Sequence, residues 1–192
     1  MSVQYKAFQT TEEADAWVKK YKSFFPSDTD EDKIFIQAID YYTGMLKPIY
    51  NNHLRQHFPI KEANFFYPYL TRMVEKLPTY QIPDNIVVYR YIDKQLLKEI
   101  CKSYPPKCDS IMQDKGFMSV TLLQDSVWQL RRDKKLNVLL VISVPKGTKG
   151  TYVDLLHDSL PEYEIILAPN TKLHIDNKMP FLNNRLECTV VN

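Results

Sequence analysis

Apolar positions recur every three to four residues along the first eighty positions of the chain, and beyond them they gather into short alternating or continuous blocks. In 10–25, TTEEADAWVKKYKSFF, Ala14, Trp17, Tyr21, Phe24 and Phe25 fall on one stripe, and Thr10 with Glu13 has capping-box spacing, so a helix ended by Pro26 is expected. A second helix is expected from Thr29. Acidic residues at 28, 30, 31 and 32 suit its positive end, Ile34, Ile36, Ile39 and Tyr42 supply apolar positions, and Gly44 is its expected stop. The segment 45–58, MLKPIYNNHLRQHF, fits a helix with Pro48 in its first turn. Residues 62–77, EANFFYPYLTRMVEKL, read as a helix kinked or delayed by Pro68.

From Ile86 the blocks are β-branched and aromatic: IVVYRYI, FMSVTL, NVLLVISV, YEIILA, KLHI and RLECTVV. They read as strands, separated by turn signals at Pro105-Pro106, Lys115-Gly116, Pro145-Lys146-Gly147 and Pro169-Asn170, with one helix inserted in DKQLLKEICKSY. Helices first and strands afterwards predict an α+β fold with largely antiparallel sheets. No linker or repeat interrupts it, so 1–192 is expected to form one domain around one core, helical over about 1–82 and mostly β over about 83–192.

Composition narrows the chemistry. The 192 residues carry 25 Lys+Arg against 23 Asp+Glu, a net charge of +2 that gives no ground for a nucleic-acid partner. Cys101, Cys108 and Cys188 form no CxxC and are an odd set, which points to reduced thiols and neither a zinc site nor a disulfide framework. The N-terminus lacks an apolar signal core and no run of about 18 apolar residues occurs, so no membrane span is expected. The four glycines, at 44, 116, 147 and 150, match neither GxGxxG nor a P-loop nor GxSxG, and HExxH is absent.

Three local features remain. Arg90, on a strand, is either a planar fork for a phosphate or a solvated strand residue. Ser119 and Thr121 are two apart and share a strand face, where their hydroxyls either serve a site or bond to backbone. Glu162 and Glu164 share a face by the same rule and lead into Ile165-Ile166-Leu167. They are either a solvated entry to a strand or a pair in which one carboxylate stabilises positive charge and the other handles a proton.

In this order, Arg90, the Phe-x-Ser-x-Thr strand and Glu162-x-Glu164 resemble the Arg–Ser–Glu class of mono-ADP-ribosyltransferases, the bacterial exoenzyme-toxin family. YTGMLKPIYNNHLR resembles its Tyr-Thr…Ile-Asn-x-x-Leu-Arg signature, with Tyr42, Thr43, Asn51, Leu54 and Arg55 at matching places. VVYRYI resembles its strand bearing the first arginine, and DKGFMSVTL its Gly-Phe-x-Ser-Thr-Ser strand. GTKGTYVDLLHDSLPEYEIILAPNTKLHI resembles its Gly-x-x-Gly-x-Tyr, Glu-x-Glu and following strands. The resemblance covers about residues 30 to 175.

The resemblance implies two β-sheets meeting at a cleft for NAD, a substrate and not a resident cofactor, with no metal. It implies that Arg90 holds the phosphates, that Ser119 orients Glu164 by a hydrogen bond, and that Glu164 binds the ribose 2′-hydroxyl and stabilises positive charge as nicotinamide leaves. Glu162 would help deprotonate the acceptor. Tyr42, Asn51 and Arg55 would be further NAD contacts, and Tyr91 would offer backbone groups to the nicotinamide amide. A Glu at 162 goes with arginine acceptors in this class, and a guanidinium needs a negative partner to lose a proton.

The implied partner is therefore a target protein with an acceptor arginine, met by a monomer secreted or delivered into a host cell, with delivery supplied from elsewhere. Departures from the family pattern are Val120 within the Ser-Thr-Ser element, Ser159 where actin-modifying members place an aromatic, and Lys47 where they often place Tyr; the last two weigh against actin. The alternatives are an NAD glycohydrolase and a catalytically inactive interaction module of the same fold.

Overall fold

The structure, a computed structural model, describes residues 3–21, 33–102, 104–125, 138–153, 162–176 and 184–191. Phe24, Phe25, Pro26, Thr29, Ser159 and Pro161 lie outside the described residues. Five α-helices are described: α1 (Thr11–Tyr21), α2 (Lys33–Tyr41), α3 (Lys47–Leu54), α4 (Tyr67–Lys76) and α5 (Lys94–Ile100). The strands are β1 (Ile86–Ile92), β2 (Ile111–Asp114), β3 (Met118–Thr121), β4 (Val138–Val144), β5 (Gly150–Tyr152), β6 (Glu164–Leu167), β7 (Thr171–Ile175) and β8 (Arg185–Val191).

α1 forms where the apolar stripe predicts it and buries Ala14, Trp17 and Tyr21. Thr10 caps it by accepting from the Glu13 N–H at 3.3 Å, while the Glu13 carboxylate reaches the Gln9 N–H at 2.8 Å instead of Thr10. Gly44 does not stop the second helix. The chain winds through it as a π-helical turn, Tyr42–Leu46, and continues into α3 with Pro48 in the first turn. The wide turn adjusts the register so that Tyr42, Leu46 and Tyr50 all reach the interior. Pro68 starts α4 and does not kink it, since the first turn is where a missing N–H costs least.

The strands form one sheet of order β2-β7-β8-β4-β1-β3-β6-β5. Its described ladders are antiparallel except β4 with β8. Flat, its first and sixth strands would lie roughly 24 Å apart at the usual spacing. Residues 115–117 nevertheless join β2 to β3, a connection that reaches at most about 14 Å. Residues 168–170 make the same jump from β6 to β7. The sheet therefore doubles back on itself, and the two expected sheets are its two limbs. They part at β1, which pairs along its whole length with β4 but with β3 only where Tyr89 faces Thr121.

Folding the sheet makes two large buried clusters where one core was expected. One lies inside the fold and takes in Val88 and Ile92 of β1, Met118 and Val120 of β3, and α1 and α5 through Trp17 and Leu97. The other packs α2 to α4 against the outer face of the second limb, with Tyr42, Tyr50, Phe117 and Ile166 among its members. The residues expected to line the cleft lie along the seam between them, on α3, β1, β3 and β6.

Candidate active site

α3 lays Lys47, Asn51 and Arg55 along one face, four residues apart, and Arg55 closes the helix before Gln56 takes a left-handed conformation at φ 66°. Each of the three meets a residue of the sheet or of its β2–β3 corner. The Asn51 Oδ1 accepts the Phe117 N–H at 2.8 Å, and its Nδ2 donates to the Tyr42 hydroxyl at 3.4 Å. That hydroxyl lies 3.2 Å from the Ser119 Oγ. Burial pushes Tyr42 above the usual phenol range, with Lys47 pulling the other way, so it remains a neutral hydroxyl able to donate and accept.

The closeness of this wall depends on Gly116. A Cβ there would meet Asn51 Oδ1 at 2.7 Å and Arg55 Nη2 at 3.2 Å. Only a residue without a side chain lets the β2–β3 corner sit against α3.

Arg55 and Arg90 come together, but on a residue that sequence reasoning missed. Asp114, the last residue of β2, accepts from Arg55 Nε at 3.0 Å, from Arg55 Nη2 at 2.9 Å and from Arg90 Nη1 at 3.2 Å. Its side chain has 0% exposure against 10% and 12% for the arginines. Stranding a carboxylate buried this deeply would cost on the order of 3–5 kcal/mol, so the paired arginines hold it and it holds them. The signal was Asp-x-Gly at the end of IMQD, too short a run to read as a strand.

At the other end, Glu164 opens β6 opposite Thr121 and is 8% exposed. Its Oε1 lies 2.8 Å from Lys47 Nζ, which also stands 5.5 Å from the centre of the Tyr42 ring. Ser119 bonds to Tyr42 and not to Glu164: on the antiparallel ladder it faces Ile166, two pairs along from Glu164.

Glu162 and Glu164 do not share a strand face. Tyr163 between them takes φ 51°, which ends the alternation and leaves Glu162 exposed outside β6 while Glu164 is buried. This turn is held from three sides. The Thr121 hydroxyl donates to the Glu162 carbonyl at 2.9 Å, the Leu122 N–H to the Tyr163 carbonyl at 3.1 Å, and the Tyr163 hydroxyl to Asp15 Oδ1 at 2.8 Å. Tyr91 sits next to Arg90, but its ring packs with Tyr89 and Leu139 on the opposite sheet face.

The cleft thus offers two guanidiniums at one end, hydroxyl and amide groups along its wall, and one buried and one exposed carboxylate at the other. Among the described residues no cluster of three metal-ligating side chains occurs, and no helix is long and apolar enough to cross a membrane.

Comparison with known proteins bears on the family and the fold. The mono(ADP-ribosyl)transferase SpvB of Salmonella typhimurium is 29% identical over 166 residues, covering 74% of this chain and 27% of SpvB; the chain thus spans about a quarter of the length of the curated relatives it matches. Among solved structures, C3stau2 from S. aureus, determined with NAD, superposes with a TM-score of 0.76 at 19% identity over 99% of this chain and 100% of that one. Plx2a, an ADP-ribosyltransferase toxin from Paenibacillus larvae, gives 0.70 at 22% over 97% and 99%. The ADP-ribosylating toxin BECa of C. perfringens, determined with NADH, gives 0.75 at 18% over 98% of this chain and 50% of that one. These structures share the fold. The family model described as ADP-ribosyltransferase exoenzyme matches residues 12–188, and the chain belongs to that family.

Proposed function

We propose that this chain takes NAD as substrate and transfers its ADP-ribose to an arginine of a target protein, acting inside a host cell. The residues fit NAD at the arginine end, where the absence of a Cβ at Gly116 leaves Arg55 and Asn51 against the β2–β3 corner. Arg55 and Arg90 bind the diphosphate through N–H groups not committed to Asp114. Tyr42, Asn51 and Ser119 form the wall that orients the nicotinamide ribose, with the backbone of Tyr91 toward the amide.

The arrangement of the carboxylates carries the reading. Glu164, buried and fixed at the start of β6, accepts from a ribose hydroxyl and stabilises the positive charge that develops as the ribose–nicotinamide bond breaks and its electron pair leaves with nicotinamide. Glu162, exposed two residues earlier, pairs with the acceptor guanidinium. It takes the proton released as the new bond forms between the ribose carbon and the guanidine nitrogen.

Incubating the purified chain with labelled NAD and host-cell lysate, followed by mass-spectrometric mapping, tests this reading. Label on arginines is expected. Label confined to another residue type would overturn the acceptor, and nicotinamide release without any protein label would make water the acceptor.

A further inference from the structure

Asp114 lies where the two buried clusters meet. It ends β2 at the corner leading into β3, Arg55 reaches it from α3, and Arg90 reaches it from β1. Four donors converge on its two oxygens: Arg55 Nε and the Gly116 N–H on Oδ1, at 3.0 and 2.9 Å, and Arg55 Nη2 and Arg90 Nη1 on Oδ2, at 2.9 and 3.2 Å. Arg55 also stands 3.9 Å from the exposed Glu99, which His57 contacts at 3.2 Å.

We propose that Asp114 is the positioning residue of the diphosphate site, joining Arg55 and Arg90 into one anion-binding unit. The proposal rests on the reading that the cleft takes NAD.

Two guanidiniums that share one carboxylate oxygen would repel each other without it, and the trio keeps one net positive charge. Arg55 commits one edge of its fork to Asp114 and Arg90 a single nitrogen, so the planes of both are set while other N–H donors stay available. Asp114 is itself held by the Gly116 N–H, so the orientation of both arginines is inherited from the β2–β3 corner. An arginine from the helical layer and one from the sheet are thereby aligned before any ligand arrives, which is how preorganisation raises affinity.

Asp114→Asn keeps the shape and removes the charge. Calorimetric titration of the wild-type and variant chains with ADP-ribose, which carries the diphosphate but no nicotinamide, reads the site directly. Folded Asp114→Asn is expected to bind ADP-ribose about tenfold or more weakly, and to raise KM for NAD by a similar factor with kcat within about threefold. Wild-type ADP-ribose affinity in the variant, or a loss confined to kcat, would overturn the proposal.

If Asp114→Asn shows no cooperative thermal transition, the cycle of Arg55→Lys, Arg90→Lys and the double variant decides. Arginines held by one carboxylate predict ADP-ribose losses that fail to multiply, whereas losses that multiply within about twofold would overturn the proposal. A wild-type chain that binds neither ADP-ribose nor NAD would overturn the NAD reading itself, and this proposal with it.

Discussion

At one end of the site a carboxylate with no solvent exposure gathers two arginines and a backbone N–H; at the other, Glu164 has a single cation among the described residues, Lys47, whose own side chain is 38% exposed. The first is a closed network with nothing left to rearrange. The second is an ion pair that a substrate can displace, beside an exposed Glu162 on a left-handed turn. On the proposed function, binding is built rigidly and chemistry adjustably, as expected where affinity comes from preorganised donors and the acceptor is a separate protein.

The largest test of this contrast is at the reaction end. Glu164→Gln is expected to cut ADP-ribosyl transfer by on the order of a hundredfold or more while weakening ADP-ribose binding by under about tenfold, because one charge stabiliser at a developing cation is worth several kcal/mol and one ribose hydrogen bond far less. Single-turnover kinetics and titration of the same preparation would check both halves.

Stability should rank the ends the other way. Arg55→Met leaves buried Asp114 with Arg90 as its one remaining cation and is expected to cost about 3 kcal/mol. Lys47→Met removes a partly solvated ammonium from a carboxylate that keeps some access to water, and is expected to cost less, about 1–2 kcal/mol. Urea midpoints measured side by side would show it, and equal losses would erase the distinction.

Gly116→Ala should act on the rigid end alone. Its Cβ collides with Asn51 and Arg55, both already held by other bonds, so KM for NAD is expected to rise roughly tenfold from a displacement of under 1 Å.

The last expected effect is in alkali and concerns the buried core, not either end of the site. Burial raises the Tyr50 hydroxyl to about 12 and the Cys101 thiol to about 11, and it pushes Tyr42 and Tyr21 upward. A group harder to deprotonate in the folded chain gives stability that is full below its unfolded pKa and lost as pH rises through the folded value. Folding stability should therefore be level up to about pH 9 and fall between about pH 9 and pH 12, followed by urea melts across that range. Stability unchanged to pH 12 would contradict the burial of these groups.

Much of this architecture was legible because burial leaves a periodic trace. Strands β1, β4 and β8 each have seven residues and stand in the sequence as β-branched runs. The stripe of Ala14, Trp17 and Tyr21 marks α1. Strands β2 and β5 left no comparable trace because IMQD ends in two polar residues and GTY has only three residues, without the β-branched and aromatic flanks that mark the equally short β3 and β6. Gly44 misled because its neighbours Tyr42 and Leu46 bury deeply enough to carry the helix through it as a π turn.

Within the site, the two arginines and the two glutamates could be picked out through the ordered motifs, but their relations could not. The period-two rule put Glu162 and Glu164 on one face, and the left-handed Tyr163, held by Asp15 on distant α1, separates them. Asp114 was invisible because its importance comes from the doubling of the sheet, which sets the end of an edge strand beside β1.

On the proposed function, Glu164 serves the sugar and Glu162 the acceptor. The measurement that separates the two roles is nicotinamide release and arginine labelling in parallel, for wild type and Glu162→Gln, with the same lysate and NAD concentration. The account predicts that the variant loses arginine labelling at least about tenfold while releasing nicotinamide into water at close to the wild-type rate. A parallel fall in both activities, or labelling that survives the substitution, would contradict it.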